Sequence, residues 1–263
     1  MKKYFKLELI FIRQYLKKLM EYKGDFLLGA IGFLFGQAFQ IIFLNIIFSQ
    51  IPSLNGYTYY EVLFIYAFAL LPKGIDHLFT DNLWMVGYRI VRKGEFDKYL
   101  TRPINSLFYV IMETFQIDAI GELIVSIVLF CVAIPNVTIN FKWYTIPLAI
   151  VSVFFATMIY VSLKTATAAI SFWTKQSGHI THMLYMMNDF SKYPLTIYNN
   201  FVRIIITFVI PFAFTAYFPS MFILTGENPL FNVGGTVIAG TVLFIIAVLI
   251  WNKGIKVYES AGS

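Results

Sequence analysis

Four acidic residues of this chain lie within or at the edge of long apolar stretches: Glu61, Glu113, Asp118 and Glu122. A charge inside a bilayer costs about 3 kcal/mol unless it is paired or faces a cavity, so such positions are informative. Asp118 and Glu122 are four residues apart and would share one face of a helix, with Glu113 on a neighbouring face. One interpretation is a cavity that receives a cationic substrate or a proton. The other is structural, through hydrogen bonds of a protonated carboxyl or pairing with Arg203 or Lys73; the sequence leaves both open.

Metal, nucleotide and nucleophile motifs give little support for an enzyme. His179 and His182 are three residues apart and could share a helical face as metal ligands, but no third ligand is apparent. They are better explained as polar residues at the end of a membrane span. The sequence has no phosphate-binding loop of the form G-x-x-x-x-G-K-[ST], no H-E-x-x-H and no G-x-S-x-G. We therefore predict that the chain has no ATPase site of its own, and that an intramembrane enzyme is disfavoured.

Aromatic residues are abundant, with 28 Phe and 17 Tyr, and they permit two explanations. An interfacial belt would account for Tyr57, Tyr59, Tyr60, Trp143 and Tyr144. A cavity for planar cations would use the same side chains through cation–π attraction. The sequence does not separate the two.

The bulk composition requires a membrane. Of the 263 residues, 59% are hydrophobic and only 13% are charged, and the mean hydropathy is +0.72. Soluble domains carry about 25% charged residues, so water could not solvate this surface. The net charge of +6 is better explained by basic cytoplasmic loops than by nucleic-acid binding. A single cysteine, Cys131, excludes a disulfide framework within the chain.

The apolar pattern predicts an all-α, polytopic membrane protein of one domain, residues 1–263, with six transmembrane helices. Residues 1–24 alternate basic and apolar residues and predict an amphipathic helix in the headgroup plane. Pro72 and Gly74 predict a kink or break where the second span becomes polar. Residues 85–105 form a basic loop. The unambiguous spans are about 26–49, 58–71, 106–133, 144–173 and 232–251.

The position of the fifth span is open, since two arrangements fit residues 174–224. In one, residues 178–190 cross the membrane and residues 194–224 form a broken re-entrant element. In the other, residues 174–203 stay cytoplasmic and residues 204–224 are the span, in spite of Pro211 and Pro219. Both give six crossings and place both termini on one side.

Basic residues are distributed unequally between the predicted sides of the membrane. The N-terminal segment carries seven Lys or Arg, the 85–105 loop five, residues 164–175 two and the tail two, which is 16 of the 20. Because basic residues favour the cytoplasmic side, we predict that both termini are cytoplasmic.

The 85–105 loop contains the sequence R-K-G-E-F-D-K-Y-L-T-R-P at residues 92–103. It resembles the coupling segment of type-2 ATP-binding-cassette (ABC) exporter permeases, which has the form G-x-[acidic or apolar]-D-x-[YL]-L-x-[RK]-P. The basic N-terminal helix, the proline-rich stretch after the fourth span and the tail at residues 251–262 are also similar to the small, about 260-residue, branch of that family. The resemblance covers essentially the whole chain.

This resemblance implies a transport complex in a cell membrane, and a bacterial one. A separate ABC ATPase, in two copies, would bind ATP and Mg and dock on the coupling residues of two permeases that are identical or encoded as a pair. By motif position the coupling residues are Gly94, Glu95, Phe96, Asp97, Tyr99, Leu100, Arg102 and Pro103. The implied cargo is amphipathic, such as a cationic drug or toxin. The family's broken outer element favours residues 178–190 as the fifth span.

Residue chemistry agrees with a docking role for this loop. We expect Phe96, Tyr99 and Leu100 to form an exposed apolar patch with a charged rim, as protein-binding sites do. The alternative is a membrane-surface helix without a partner. For the whole chain, the alternatives are export of a glycan or peptide by the same machinery, or a proton-driven secondary transporter that uses the intramembrane acidic residues.

Overall fold

The computed structural model describes residues 23–260. The predicted amphipathic helix over residues 1–24 therefore lies, except for its last two residues, outside the described part of the chain. Within that part the structure is helical, apart from one isolated antiparallel bridge between Leu54 and Tyr57. The all-α prediction is confirmed for these residues.

We number ten helices of the described chain in order. They are α1 (Lys23–Gln50), α2 (Tyr59–Thr80), α3 (Asp97–Leu100), α4 (Ser106–Met112), α5 (Ile120–Ala133), α6 (Thr145–Ala169), α7 (Gly178–Met187), α8 (Asn200–Ile204), α9 (Tyr217–Thr225) and α10 (Pro229–Val257). Shorter turns connect them, including a π-helical turn at Val86–Ile90 and a helical turn at Ser171–Thr174.

Five helical stretches of the described chain are long and apolar enough to cross a bilayer. They are Ile31–Gln50, Tyr59–Thr80, Ile117–Asn136, Thr145–Thr174 and Pro229–Val257. A span needs about 20 apolar residues, which each of them supplies. The chain is therefore a multi-pass membrane protein, as its composition predicted.

The third predicted span is shorter than expected. Residues 106–133 are not one helix, because α4 ends at Met112 and the apolar helical stretch restarts only at Ile117. The Gln116 backbone lies outside the helical region, and its N–H donates to the Leu78 carbonyl of α2 at 3.0 Å. A tertiary hydrogen bond thus replaces the local helical bond at this point.

The second span differs in the opposite way, since α2 continues through Pro72 to Thr80 without the predicted break. Gly74 serves helix packing there: a Cβ atom at this position would lie 3.2 Å from Cβ of Glu122 and 2.8 Å from Cδ2 of Leu123. The absence of a side chain lets α5 approach α2 closely. This contact brings Glu122 beside the polar end of α2.

Residues 204–224 do not form a single helix, so the arrangement with a plain span there is wrong. A π-helical turn at Ile205–Val209 is followed by a break at Ile210 and Pro211, then a short 3-10 turn, and α9 starts only at Tyr217. Proline supplies no N–H to continue a helix. The Ala216 backbone, at φ −142° and ψ −59°, completes the break.

The preceding stretch runs along the length of α2. At one end, the Ser177 N–H donates to the Gly87 carbonyl, just beyond α2, at 2.9 Å. At the other end, the Asn55 side-chain amide, just before α2, donates to the Thr196 carbonyl at 2.6 Å. A 22-residue helix is about 33 Å long, so residues 178–195 connect points roughly that far apart.

Residues 200–225 then enter the bundle and return. Ala216 packs against Phe68 and Ala69, halfway along α2. The Tyr217 hydroxyl is 2.8 Å from that of Tyr57, which precedes α2. Asn140, in the loop before α6, donates its N–H to the Leu224 carbonyl near the end of α9. This path turns back within the bundle.

Helices α6 and α10 pack against each other along much of their length, and Gly240 is at a close contact between them. A Cβ atom there would lie 2.7 Å from the backbone oxygen of Phe155. Because backbone cannot move aside as a flexible side chain can, the two helices would have to separate.

We therefore expect Gly240→Ala to lower the free energy of unfolding by about 1–3 kcal/mol, the usual cost of overpacking. Gly234→Ala on the same helix is the matched control, since its Cβ would meet only Leu230 at an ordinary 3.7 Å. Denaturation of the two purified variants in detergent would compare them. Equal stabilities would mean that α6 and α10 are not in this close contact.

Candidate functional site

Gly94 reverses the chain in the 85–105 segment. Its φ of +73° is in the left-handed region that favours glycine, and it directly precedes the residues that lead into α3. The Asp97 N–H donates to the Gly94 carbonyl at 3.4 Å. The predicted motif glycine therefore has a clear backbone role.

Phe96 and Tyr99 are buried, so the expected exposed apolar patch is wrong for two of its three members. Phe96 is 0% exposed and its ring contacts those of Phe172 at 4.8 Å, Tyr258 at 5.3 Å and Trp251 at 5.8 Å. These partners come from the turn after α6 and from α10 with its tail. Only Leu100, 44% exposed, presents an apolar side chain outward.

The outer face of the segment is therefore basic with one apolar side chain. Within residues 92–103, the exposed residues are Arg92, Lys93, Lys98, Leu100, Thr101, Arg102 and Pro103. The two acidic motif residues have partners within the chain: Glu95 is 3.5 Å from Arg89, and Asp97 accepts from the Ser260 hydroxyl at 2.6 Å. The tail thus contacts α3 directly.

Glu113, at the end of α4, holds the segment from the other side. Its Oε1 is 2.6 Å from Lys98 Nζ, and its Oε2 accepts from the Tyr99 hydroxyl and from the Asn82 amide at 3.2 Å. Burial alone would raise the pKa of the Glu113 carboxyl, but the hydrogen bonds from Lys98 and Tyr99 outweigh it and hold that pKa below its ordinary value. The stabilisation is present at neutral pH and disappears as pH falls through the lowered pKa.

A second group of charged residues lies between α2, α5 and α6, and we call it the charged cluster: Lys73, Asp76, His77, Asp81, Glu122 and Lys164. Asp76, Glu122 and Lys164 are buried, and the other three are partly exposed. Lys164 is 0% exposed. Its Nζ is 2.9 Å from Asp76 Oδ2 and 3.0 Å from Asp81 Oδ1. Asp76 also accepts from the hydroxyls of Tyr185 and Thr80, each at 2.6 Å. A buried charge needs such partners to offset desolvation.

His77 links Asp81, one of the two partners of Lys164, to Glu122. Its Nε2 is 3.0 Å from Asp81 Oδ2, and its Nδ1 is 3.6 Å from Glu122 Oε1. Lys73 Nζ lies 3.3 Å from the same Glu122 oxygen. The other oxygen, Oε2, is buried and has no hydrogen-bond partner among the described residues.

A cavity of about 360 Å³ adjoins the charged cluster. It is lined by Lys73, His77, Asp81, Trp84, Met85, Tyr88, Glu122 and Tyr185. Its walls combine charged and aromatic side chains, and the rings of Trp84 and Tyr88 are stacked 6.1 Å apart. Such a combination suits a small amphipathic ligand.

The model of the ABC-2 family of transporter proteins matches residues 34–262. The chain belongs to the ABC-2 transporter family. This confirms the resemblance to small type-2 permeases. The match includes the 85–105 segment, the charged cluster and the tail residues that contact α3. No curated protein matches the chain.

An ABC-2 permease is the membrane component of its transporter and has no ATPase site of its own, which agrees with the absence of a phosphate-binding loop. The bundle of this permease therefore has to provide a substrate path and a contact for its ATPase. The cavity and the outer face of the 85–105 segment are the described features that suit these two tasks.

The four predicted acidic residues occupy different places in this permease. Glu122 is in the charged cluster and Glu113 is with the 85–105 segment. Glu61 caps the other end of α2, where it accepts from the Thr58 N–H at 2.8 Å. Asp118 is exposed and does not line the cavity. The spacing argument that placed Asp118 with Glu122 therefore does not bring them to one site.

The predicted pairing of a carboxylate with Lys73 is confirmed for Glu122, whereas Arg203 is exposed. Lys164 is the residue that sequence reasoning missed, because it was counted among the cytoplasmic basic residues. The available signal was its place within a 30-residue apolar helical stretch, Thr145–Thr174. His179 and His182 contact the rings of Tyr88 and Trp84 at 5.6 and 6.5 Å.

Proposed function

We propose that this chain is the membrane subunit of an ATP-driven exporter that moves an amphipathic, cationic compound out of the cell. A separate ABC ATPase, in two copies, binds ATP and Mg and contacts the 85–105 segments of two permeases, identical or paired. Membership of the ABC-2 family supports the ATPase partnership. The cavity beside the charged cluster, with its aromatic wall, supports an amphipathic cargo.

We further propose six membrane crossings with both termini in the cytoplasm of a bacterial cell. The fifth crossing in chain order is residues 178–190, in the stretch that runs along α2 from Gly87 to Asn55. Residues 200–225 are then a re-entrant element on the outer side. The positive-inside rule supports this orientation, because five basic residues lie in the 85–105 segment.

The observation that carries the ATPase contact is the way α3 is held. Phe96 is enclosed by rings from Phe172, Trp251 and Tyr258, while Tyr99 and Lys98 bind Glu113. The segment is thereby fixed to α10 on one side and to α4 on the other. A force applied to its outer face would reach both helices, which is what coupling to an ATPase requires.

Leu100 is the exposed apolar residue of this face, and we expect Leu100→Glu to reduce the amount of co-purifying ATPase by at least about tenfold, as for an interface hot spot. The measurement is affinity purification of the permease from mildly solubilised native membranes, followed by quantitative mass spectrometry. A protein with a phosphate-binding loop should accompany the unsubstituted permease.

The matched control is Leu230→Glu, which changes a still more exposed leucine at the start of α10. It should leave the ATPase bound. If the unsubstituted permease purifies without any ATPase, the exporter proposal fails. If both variants retain the ATPase equally, the docking face lies elsewhere.

A further inference from the structure

The charged cluster leaves one buried acceptor unused. Glu122 is only 3% exposed, its Oε1 faces Lys73 and His77, and its Oε2 has no hydrogen-bond partner among the described residues. A buried carboxylate oxygen without a donor costs free energy that a bound N–H group would recover. Glu122 also lines the 360 Å³ cavity, so a ligand there lies beside this side chain.

The charge balance of the cluster depends on His77. Each of its ring nitrogens faces a carboxylate, Asp81 or Glu122. A neutral imidazole would direct a lone pair at one of them, so this geometry fits the imidazolium form. The remaining charged members are three carboxylates and two lysines. The cluster is therefore neutral with charged His77 and carries one negative charge with neutral His77.

We propose that the cavity binds a primary ammonium group, which donates to Glu122 and takes the place of the second proton of His77. The exchange keeps the cluster neutral, so its buried members, Asp76, Glu122 and Lys164, are not left beside an uncompensated charge. The groups that face His77 are Lys73 and Asp81 on its own side and Glu122 from α5; Lys164 from α6 and Tyr185 from α7 act through Asp76 and Asp81.

The aromatic side chains of the cavity indicate which chemical group accompanies the ammonium group in the ligand. Trp84, Tyr88 and Tyr185 line the cavity, and the Trp84 ring meets that of Tyr185 edge-on at 5.1 Å. Indole and phenol faces attract cations and pack against apolar groups. A volume of about 360 Å³ suits an amine with one or two rings. Only the role of the amine as transported cargo rests on the proposed function. The binding site itself follows from the geometry of the cavity.

The test is equilibrium dialysis of radiolabelled 2-phenylethylamine against the full-length permease in lipid nanodiscs, with empty nanodiscs to subtract partition into lipid. We expect binding to tighten at least about tenfold from pH 5.5 to pH 8, because each bound ammonium group displaces one proton from His77. The N,N,N-trimethyl analogue has no N–H donor and should bind at least about tenfold more weakly than the amine. Equal binding of the two compounds, or tighter binding at low pH, would overturn the proposal.

Two substitutions and a control assign the effect to these residues. Glu122→Gln should weaken binding at least about tenfold. Asp118→Asn changes an exposed carboxylate one turn away and should bind as the unsubstituted protein does. His77→Gln should bind at pH 5.5 at least as tightly as the unsubstituted protein binds at pH 8, without pH dependence. Unchanged binding by Glu122→Gln, or a retained pH dependence in His77→Gln, would refute the exchange.

Should Glu122→Gln fail to fold, the analogue comparison and His77→Gln still decide the question. The outcome is separable from that of the exporter proposal. Amine binding without a co-purifying ATPase would contradict the exporter proposal but not the amine-binding proposal. A co-purifying ATPase without pH-dependent amine binding would sink this inference alone.

Discussion

Lys164→Met is expected to destabilise the permease by about 3–5 kcal/mol, the usual effect of removing one partner from a buried ion pair. Lys164 is 0% exposed, and its ammonium is within 3.0 Å of both Asp76 and Asp81. Methionine fills a similar volume but leaves two carboxylates without their shared cation. Titration with a denaturing detergent would measure the loss, and we expect little folded protein at physiological temperature.

Two further variants show whether charge is the cause. Lys256→Met makes the same change at an exposed position in the last turn of α10 and should leave stability unaltered. Adding Asp76→Asn to Lys164→Met removes one of the two carboxylates that lose Lys164 as a partner and should recover part of the stability. A Lys164→Met protein as stable as the original would mean that this cluster is not buried and paired as described.

Phe96→Ala is expected to have an effect of similar size, about 3–5 kcal/mol, since a fully buried aromatic ring would be replaced by a cavity. The loss should be concentrated in the coupling segment, because Phe96 joins it to Phe172, Trp251 and Tyr258. Hydrogen exchange of the backbone amides of residues 92–102 should therefore accelerate. Transport should separate from ATP hydrolysis if the segment carries the coupling.

Leu100→Ala separates docking from internal support. Its side chain is 44% exposed, so hydrogen exchange in the segment should not change, whereas ATPase binding should weaken. If Phe96→Ala leaves exchange at the original rate, the aromatic contacts do not hold the segment. If Leu100→Ala accelerates exchange as much as Phe96→Ala does, Leu100 contributes to internal packing.

These variants test whether some residues of the motif hold the segment in place while others contact the ATPase. The motif residues that were expected to contact a partner include Phe96 and Tyr99, yet both are directed into the permease, against α10 and Glu113. Leu100, Arg102 and Pro103 remain on the outer face. An aromatic residue in a docking motif can therefore act by fixing the segment to the transmembrane helices rather than by touching the ATPase.

The amino-acid sequence by itself determined the environment and the coarse architecture. A bilayer requires about 20 apolar residues for each crossing, a local property that composition and hydropathy report directly. The spans near residues 31–50, 145–174 and 229–257 were accordingly predicted well, whereas the span at residues 59–80 was predicted only as far as residue 71. The 85–105 motif was recognisable because its residues are contiguous, and the family match at residues 34–262 agrees with it.

Only the tertiary structure decided the features that depend on contacts between distant residues. The third span starts later than predicted because the Gln116 N–H bonds to α2. The path of residues 178–225 is set by their contacts with Gly87, Asn55 and Tyr57, which hydropathy does not report. Lys164 and Asp76 are 88 positions apart but form one ion pair at 2.9 Å. Hydropathy ranks each residue by its own solvation, whereas the partner that offsets a buried charge comes from another helix, and only folding brings the two together.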